Sequence, residues 1–563
     1  RDYNAPAIIM WSIGNEMTEG TGGISNFNQV QQNLIDWVKA VDTTRPVTTG
    51  DNQYKNNGST TLNPQGIANA KGIVGLNYAD GNVYDKAHRE HSDWILIGSE
   101  TASAINSRGI YNTHGQDGSA QQLTAYDYSA VGWGHVASKA WYDVLTRDFM
   151  SGEYVWTGFD YLGEPTPWNG TDSGAKGTWP SPKNSYFGII DTAGLPKDSY
   201  YLYQSLWNED VNTLHMLPAW NSDVVKKDGQ NKVDVAVYTD AAAVELFFTP
   251  KGSTERQSLG KKAFTTKTTE GGVSYQIYEG DGAYTGNDIH RNLYLTWKVP
   301  YADGTITAEA YNAKGEKIDT STWQGRQSVT TTGKAAKLKA EVNREGMTAN
   351  GTDLAYVTVS VTDAEGNVIP NATNNVTFKV TGSGSLAGID NGSSPDHQSY
   401  RDDNRDAFSG QLVGIVRAGE KAGDATVTVS ADGLESTTIT IPVAASSDAP
   451  EAKTADSLYF ARYHYVKTGS ALELPAAVQV RYSDGASENK AVNWDNVPAD
   501  KLATPGSFTV SGTVADTPVR ATAVVTVVDD IAALLNYSTT VSKGAEPVLP
   551  DSLCLLYTSD AAD

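Results

Sequence analysis

A single cysteine, Cys554, stands in 563 residues. It can build no disulfide and no cysteine-based metal centre, and it leaves the redox compartment open, because cysteine-poor chains occur inside cells and on bacterial surfaces alike. Long apolar runs are absent too: none approaches the ~20 residues that span a bilayer. Positive charge is in short supply, with 43 Lys and Arg against 66 Asp and Glu, a formal charge of -23. Such a surface repels phosphate backbones and anionic lipid, which argues against nucleic acid and membrane-surface binding and leaves neutral sugars open. The start, Arg1, has neither an initiator methionine nor a secretory apolar segment, so the chain is expected to be an internal piece of a longer protein.

What is present is length enough for three to five domains. Up to about residue 210, apolar strand-like runs alternate with helix-period segments, the βαβα pattern of a parallel sheet or barrel. Ala7 to Trp11, Pro46 to Thr49, Gly72 to Leu76, Trp94 to Gly98 and Tyr154 to Phe159 read as strands. Phe27, Val30, Leu34, Val38 and Val41 recur at three- and four-residue steps and predict one buried helix face, and His135 to Arg147 predicts another helix. Beyond Trp207 come short β-rich runs such as Val233 to Tyr238 and Tyr356 to Val361, spaced by turn residues as in all-β sandwiches. The polar stretch Gln327 to Lys337 and the segment Ala444 to Asp456 read as boundaries. Lys467 to Pro475 is echoed by Lys543 to Pro550, which predicts a tandem repeat whose second copy is cut short; Leu553 to Asp563 resembles adaptor readthrough.

Two carboxylates follow strand-like runs. Ile8-Ile-Met-Trp-Ser-Ile-Gly-Asn-Glu16 reads as a buried strand ending in Asn-Glu, and Trp94-Ile-Leu-Ile-Gly-Ser-Glu100 as a strand ending in a second glutamate 84 residues later. That interval holds two intervening strand-and-helix units, so the pair falls on the first and fourth strands counted here, at the C-terminal face where barrel active sites sit. Across the mouth, two such groups can converge. Retaining glycoside hydrolysis needs carboxyls about 5 to 5.5 Å apart, one protonated and one ionised.

These motifs resemble glycoside hydrolase family 2. Trp11-Ser-Ile-Gly-Asn-Glu16 resembles its acid/base motif, Ile97-Gly-Ser-Glu-Thr-Ala102 its nucleophile segment, and Gly152 to Pro167 the strand-eight region of its β-galactosidase branch. Val244-Glu-Leu-Phe-Phe248 and Ser258-Leu-Gly-Lys261 are similar to the sandwich that follows the barrel there. The resemblance implies a multidomain α/β plus all-β chain. Residues 1–210 would be the C-terminal part of a (β/α)8 TIM barrel, from its fourth strand onward, and 211–330 a β-sandwich. Residues 334–445 resemble an invasin-like immunoglobulin fold and 453–530 a bacterial immunoglobulin-like module, with 531–563 the start of the truncated repeat.

The resemblance further implies Glu16 as general acid/base and Glu100 as nucleophile of a retaining exo-β-galactosidase. Burial and the charge of Glu100 would keep Glu16 protonated until the glycosyl-enzyme forms. Asn15 would bond the sugar 2-hydroxyl, Tyr78 in Gly75-Leu-Asn-Tyr78 would orient the nucleophile, and Trp156 would wall the sugar ring. Asp51, after Pro46 to Gly50, is placed at the barrel mouth as an acceptor for the 4- or 6-hydroxyl. Glu153, Asp160 and Glu164 read as loop anchors. His88, His91, His114 and His135 show no ligand spacing, so no metal and no cofactor is expected, with cation ligands from upstream of Arg1 left open.

Galactose is preferred over glucuronate because Ser181-Pro-Lys-Asn-Ser-Tyr-Phe-Gly188 lacks the Asn-x-Lys-Gly order of family 2 glucuronidases. Expected partners are β-galactoside oligosaccharides or glycoconjugates, and cell-surface glycans if the tail binds; no nucleic acid and no membrane-spanning segment are expected. The tail modules favour an extracellular or cell-surface location and a spacer role. The rival function is a carbohydrate-binding or adhesive surface protein. An open half-barrel would leave sheet edges unpaired, so the isolated chain is expected to be poorly soluble or inactive.

Overall fold

The computed structural model describes residues 5–17, 27–57, 62–113, 116–117, 120–168, 181–446, 454–482 and 486–529. Two compact units, 1–444 and 445–563, are each described by themselves. The repeat echo at 543–550, Cys554 and His114 lie outside the described residues.

The first unit opens with β1 (Trp11–Asn15), α1 (Phe27–Val41), β2 (Val47–Asp51), α2 (Tyr54–Asn57), α3 (Leu62–Asn69), β3 (Ile73–Asn77), α4 (Gly81–Glu90) and β4 (Ile95–Ala102). A small hairpin of β5 (Gln116–Asp117) and β6 (Gln122–Leu123) precedes α5 (Ala137–Leu145), β7 (Met150–Trp156) and α6 (Asp198–Trp207). Strands β1, β2, β3, β4 and β7 form one parallel sheet in that order. Helices pack on it through Ile35, Ile67, Tyr84, Ala87 and Val144, against Val47, Val74, Leu76 and Leu96.

The sequence placed β1 too early: it begins at Trp11, and Ile9 is 67% exposed. β1 is a sheet edge, so its apolar run is not enclosed on both sides. β2, β3 and β4 run on to Asp51, Asn77 and Ala102, past the apolar stretches, because ladder bonds use backbone groups and tolerate polar side chains. The buried face of α1 also differs: it is Phe27, Gln31 and Ile35, whereas Val30 and Val41 are exposed. Gln31 turns that face inward, its amide donating to Asn63 Oδ1 at 2.6 Å and to the Asn63 carbonyl at 2.9 Å.

Residues 214–330 form a sandwich of a three-stranded and a four-stranded sheet around Leu214, Val235, Val244, Leu246, Trp297 and Ile306. In strand Gly304–Tyr311 burial alternates strictly. In strand Lys232–Thr239 it does not, since Ala236 and Tyr238 on the outer face are covered by Leu202 and Tyr203 of α6.

A second sandwich, 337–445, stacks a four-stranded sheet on a five-stranded one over Val357, Val359, Phe378, Val416 and Val427. It does not hang free as a spacer. Its segment 391–409 grips the barrel loops: Arg108 Nη2 donates to the Asn391 carbonyl at 2.7 Å and Ser409 Oγ to the Arg108 carbonyl at 2.8 Å. Lys183 N donates to the Ser394 carbonyl at 2.9 Å. The Tyr400 ring has Lys183 Nζ 4.6 Å from its centre and Arg405 Cζ 4.9 Å from it, two cations on one aromatic ring.

The second unit holds a six-stranded sheet in which Tyr463–Lys467 and Arg520–Val528 pair in parallel. Its cores are small, built on Val478, Val480, Val514, Val525 and Val527. Among the described residues no helix is long and apolar enough to cross a membrane.

Candidate active site

The C-terminal ends of β1, β3 and β4 bring Glu16 and Glu100 together. Glu16 follows β1 directly with φ 49°, its N–H donating to the Gly50 carbonyl at 3.0 Å. The bond ties the residue to β2 at the point where the chain leaves the sheet. Glu100 lies inside β4, opposite Asn77 of β3.

Asn77 joins the two. Its Nδ2 stands 2.9 Å from Glu16 Oε1, 2.9 Å from Asn15 Oδ1 and 3.4 Å from Glu100 Oε2, and its Oδ1 accepts from Ser99 Oγ at 2.6 Å. Two oxygens that share one donor at those distances are at most about 6.3 Å apart. Asn77 is fully buried. Room for this cluster depends on Gly50 in the neighbouring strand: a Cβ there would run into Asn15 Oδ1 and the Asn77 amide. The sequence reading passed over Asn77, although the residue lies in the quoted Gly75 to Tyr78 segment; an asparagine at a strand end between two carboxylate strands was the available signal.

Tyr78, the next residue, is where the sequence placed it, with φ 52° and its N–H donating to the Glu100 carbonyl at 2.7 Å. Lys55 Nζ of α2 stands 5.0 Å from the centre of its ring. Trp156 ends β7 opposite Ala102, half-buried and edge-on to Tyr161 at 5.8 Å. Burial pushes the Tyr161 hydroxyl up, its bond to Glu164 adds to this, and the charge of Glu100 adds further, which puts Tyr161 within electrostatic reach of the pair. Tyr161 was not singled out from sequence.

Asp51 is a correction. It ends β2, but it is 2% exposed and turned toward the helices. Oδ1 accepts from Tyr54 N at 2.7 Å and Gln53 N at 3.1 Å, and Oδ2 from Asn63 Nδ2 at 3.2 Å. Burial raises its pKa against these donors. The side chain holds the start of α2, the general preference of aspartate for helix N-termini, and has no face left for a sugar hydroxyl.

Asp160 pairs with Lys197 at 2.6 Å and accepts from Gly188 N at 2.8 Å, while Tyr161 donates to Glu164, so both acids anchor loops. His88 stacks on Phe149 and His91 on Trp94. Among the described residues no group of three His, Cys, Asp or Glu side chains could hold a metal.

A hollow of about 390 Å³ beside the pair is lined by Ile9, Asn15, Gly50, Ile97, Ser99 and Tyr154. A larger one of about 550 Å³ lies away from the glutamates, where the barrel meets both sandwiches. There Arg326 bonds Tyr111 and Asp198, and Asp198 bonds His215, so its charged groups serve one another.

Comparison with known proteins identifies domains along the chain. Residues 1–165 match the glycosyl hydrolases family 2 TIM barrel domain, and 338–440 the glycoside hydrolase family 2 C-terminal domain 5. Residues 229–319 match a domain of unknown function (DUF4982), and 463–517 the bacterial Ig-like domain, group 4. Beta-galactosidase BoGH2A of Bacteroides ovatus is 32% identical over 483 residues, 78% of this chain and 50% of that protein. A beta-glucuronidase of Formosa agariphila is 23% identical over 360 residues, 63% of this chain and 31% of its own length. The chain thus spans half or less of these relatives. The crystal structure of a beta-glycosidase from Bacteroides vulgatus superposes with a TM-score of 0.59 at 26% identity, covering 79% of this chain and 52% of that one. With the family 2 barrel domain around the glutamates and the family 2 C-terminal domain docked on its loops, the chain belongs to glycoside hydrolase family 2.

Proposed function

We propose that this chain supplies the catalytic pair of a retaining exo-β-galactosidase, with Glu100 as nucleophile and Glu16 as general acid/base. The observation that carries the reading is the shared Asn77 amide: it keeps a Glu16 oxygen and a Glu100 oxygen within about 6.3 Å of each other, two carboxylates facing one site as a double displacement requires.

In the first half-reaction the Glu100 carboxylate attacks the anomeric carbon. The glycosidic bond breaks as Glu16 gives its proton to the leaving oxygen, and the sugar is left as an ester on Glu100. In the second, Glu16, now a carboxylate, takes a proton from water, the hydroxide attacks the anomeric carbon, and Glu100 departs as a carboxylate. Both glutamates end in their starting protonation states. Asn15, exposed beside Glu16, is suited to bond the 2-hydroxyl, where a contact strengthens in the oxocarbenium-like transition state. Trp156 offers an apolar wall.

Galactose as the sugar is supported by the 32% identity to BoGH2A and by the absence of an Asn-x-Lys-Gly order in Ser181 to Gly188. Another neutral sugar is the nearest alternative. The bacterial Ig-like match at 463–517 supports an extracellular location, with the last unit read as a spacer.

The test uses a protein carrying the complete barrel and an activated aryl β-galactoside, comparing Glu16→Gln and Glu100→Gln with and without azide. Rescue of Glu16→Gln as the β-galactosyl azide and of Glu100→Gln as the α-azide is expected. The reverse pairing of anomers would overturn the assignment.

A further inference from the structure

An amide nitrogen carries two hydrogens, yet Asn77 Nδ2 has three acceptors in reach: Asn15 Oδ1, Glu16 Oε1 and Glu100 Oε2. It can serve two at full strength. The amide orientation is fixed from behind, because Ser99 Oγ donates to Asn77 Oδ1, and a flipped amide would aim its oxygen at two carboxylates. At 2.9 Å to Asn15 and Glu16, both hydrogens are engaged there, and Glu100 is about half an ångström farther away.

In the proposed double displacement the negative charge changes place. It sits on Glu100 before attack and on Glu16 once Glu100 is esterified. We propose that Asn77 is a positioning residue that follows this charge: one hydrogen stays on Asn15, and the other, nearer Glu16 in the structure, swings to Glu100 for the attack and back to Glu16 once Glu100 is esterified. A small tilt of one amide then favours ionised Glu100 in the first half-reaction and ionised Glu16 in the second, and no ion enters the buried site. Ser99 acts as the pivot. This inference rests on the assignment of Glu16 and Glu100 above.

Among the described residues, other titratable groups also stand near the cluster. Tyr78 follows the same strand, Lys55 of α2 stands over the Tyr78 ring, and Tyr161 with Glu164 approaches from the segment after β7. Asp51 of β2 is turned away into the helices. The amide is thus the donor common to both carboxylates in this cluster.

The experiment takes Asn77→Ala, the isosteric Asn77→Asp and Ser99→Ala in a protein with the complete barrel. Turnover of a dinitrophenyl β-galactoside is followed from pH 4 to 9, with KM and kcat separated. Asn77→Ala is expected to lower kcat by about 100-fold with a smaller change in KM, and to move a limb of the pH profile by about one pH unit. Ser99→Ala should show the same shift in weaker form. Asn77→Asp, which keeps the shape and tests the idea if the alanine variant folds poorly, should retain activity only at the acid end, where its carboxyl still carries a donor hydrogen. Profiles superimposable on the parent's in all three variants would overturn the proposal. Azide rescue of the Glu16 and Glu100 variants, run alongside, separates this outcome from failure of the underlying assignment.

Discussion

The Arg108 guanidinium, eight residues beyond Glu100, is held between Asp191 Oδ2 at 2.6 Å and the Asn391 carbonyl at 2.7 Å. The loop that follows the proposed nucleophile strand is therefore fixed by a buried ion pair to Asp191 and tied to the second sandwich by the hydrogen bond to Asn391. Arg108→Ala leaves the Asp191 carboxylate buried without its cation, and a loss of about 3 to 5 kcal/mol in the stability of the first unit is expected. Denaturant unfolding of the chain, followed by tryptophan fluorescence, measures it. Ending the chain after residue 333 should destabilise the same unit by a similar route. An unchanged midpoint in both cases would return 337–445 to a passive spacer.

Glu153 on β7 gives a pH dependence. Both its oxygens are buried without a hydrogen bond of good geometry, and burial, only partly opposed by the nearby Thr101 hydroxyl, pushes its pKa from an ordinary 4.5 up to about 8. The folded state then holds a proton that the unfolded chain has released, so stability should fall as pH rises from about 4.5 through about 8. Glu153→Gln removes the titration. At pH 9 it is expected to be more stable than the parent by about 5 kcal/mol, and near-equal at pH 4. Unfolding midpoints across this range decide it; parallel curves for the two proteins would show that Glu153 does not titrate between the states.

Gly50→Ala places a methyl where Asn15 Oδ1 and the Asn77 amide now sit. The backbone at Gly50 has no positive φ to lose, so the effect should be local crowding, about 1 to 3 kcal/mol in stability. Activity should suffer far more than folding, because the atoms displaced are those that bridge the glutamates. A melting temperature close to the parent's together with a large fall in kcat is the expected pair of readings. A fall in stability with catalysis intact would mean that the amide cluster is not part of the site.

Much of this was legible in the chain. Glu16 and Glu100 follow apolar runs long enough to be strands, and their spacing fixes how many strands separate them, so their convergence could be foreseen. What escaped was set by partners remote in sequence. Asn77 becomes central only when β3 is laid between β1 and β4. Asp51 looks like a mouth residue until Asn63 and the start of α2 take up its oxygens. Gln31 sits in a buried face that the apolar pattern gave to Val30 and Val41, because Asn63 of α3 satisfies its amide. Likewise, nothing local to Asn391 or Tyr400 says that a barrel arginine and lysine will meet them.

The central claim is that Glu100 is the nucleophile of a double displacement. The most direct measurement incubates a protein carrying the complete barrel with a 2-deoxy-2-fluoro-β-galactosyl fluoride, then digests it and locates the trapped sugar by peptide mass spectrometry. The expected result is one equivalent of fluorosugar on the peptide that contains Ile97-Gly-Ser-Glu-Thr-Ala102, at Glu100, with turnover lost in step. Label on Glu16 or elsewhere, or unimpeded turnover of a natural galactoside with no label at all, would contradict it.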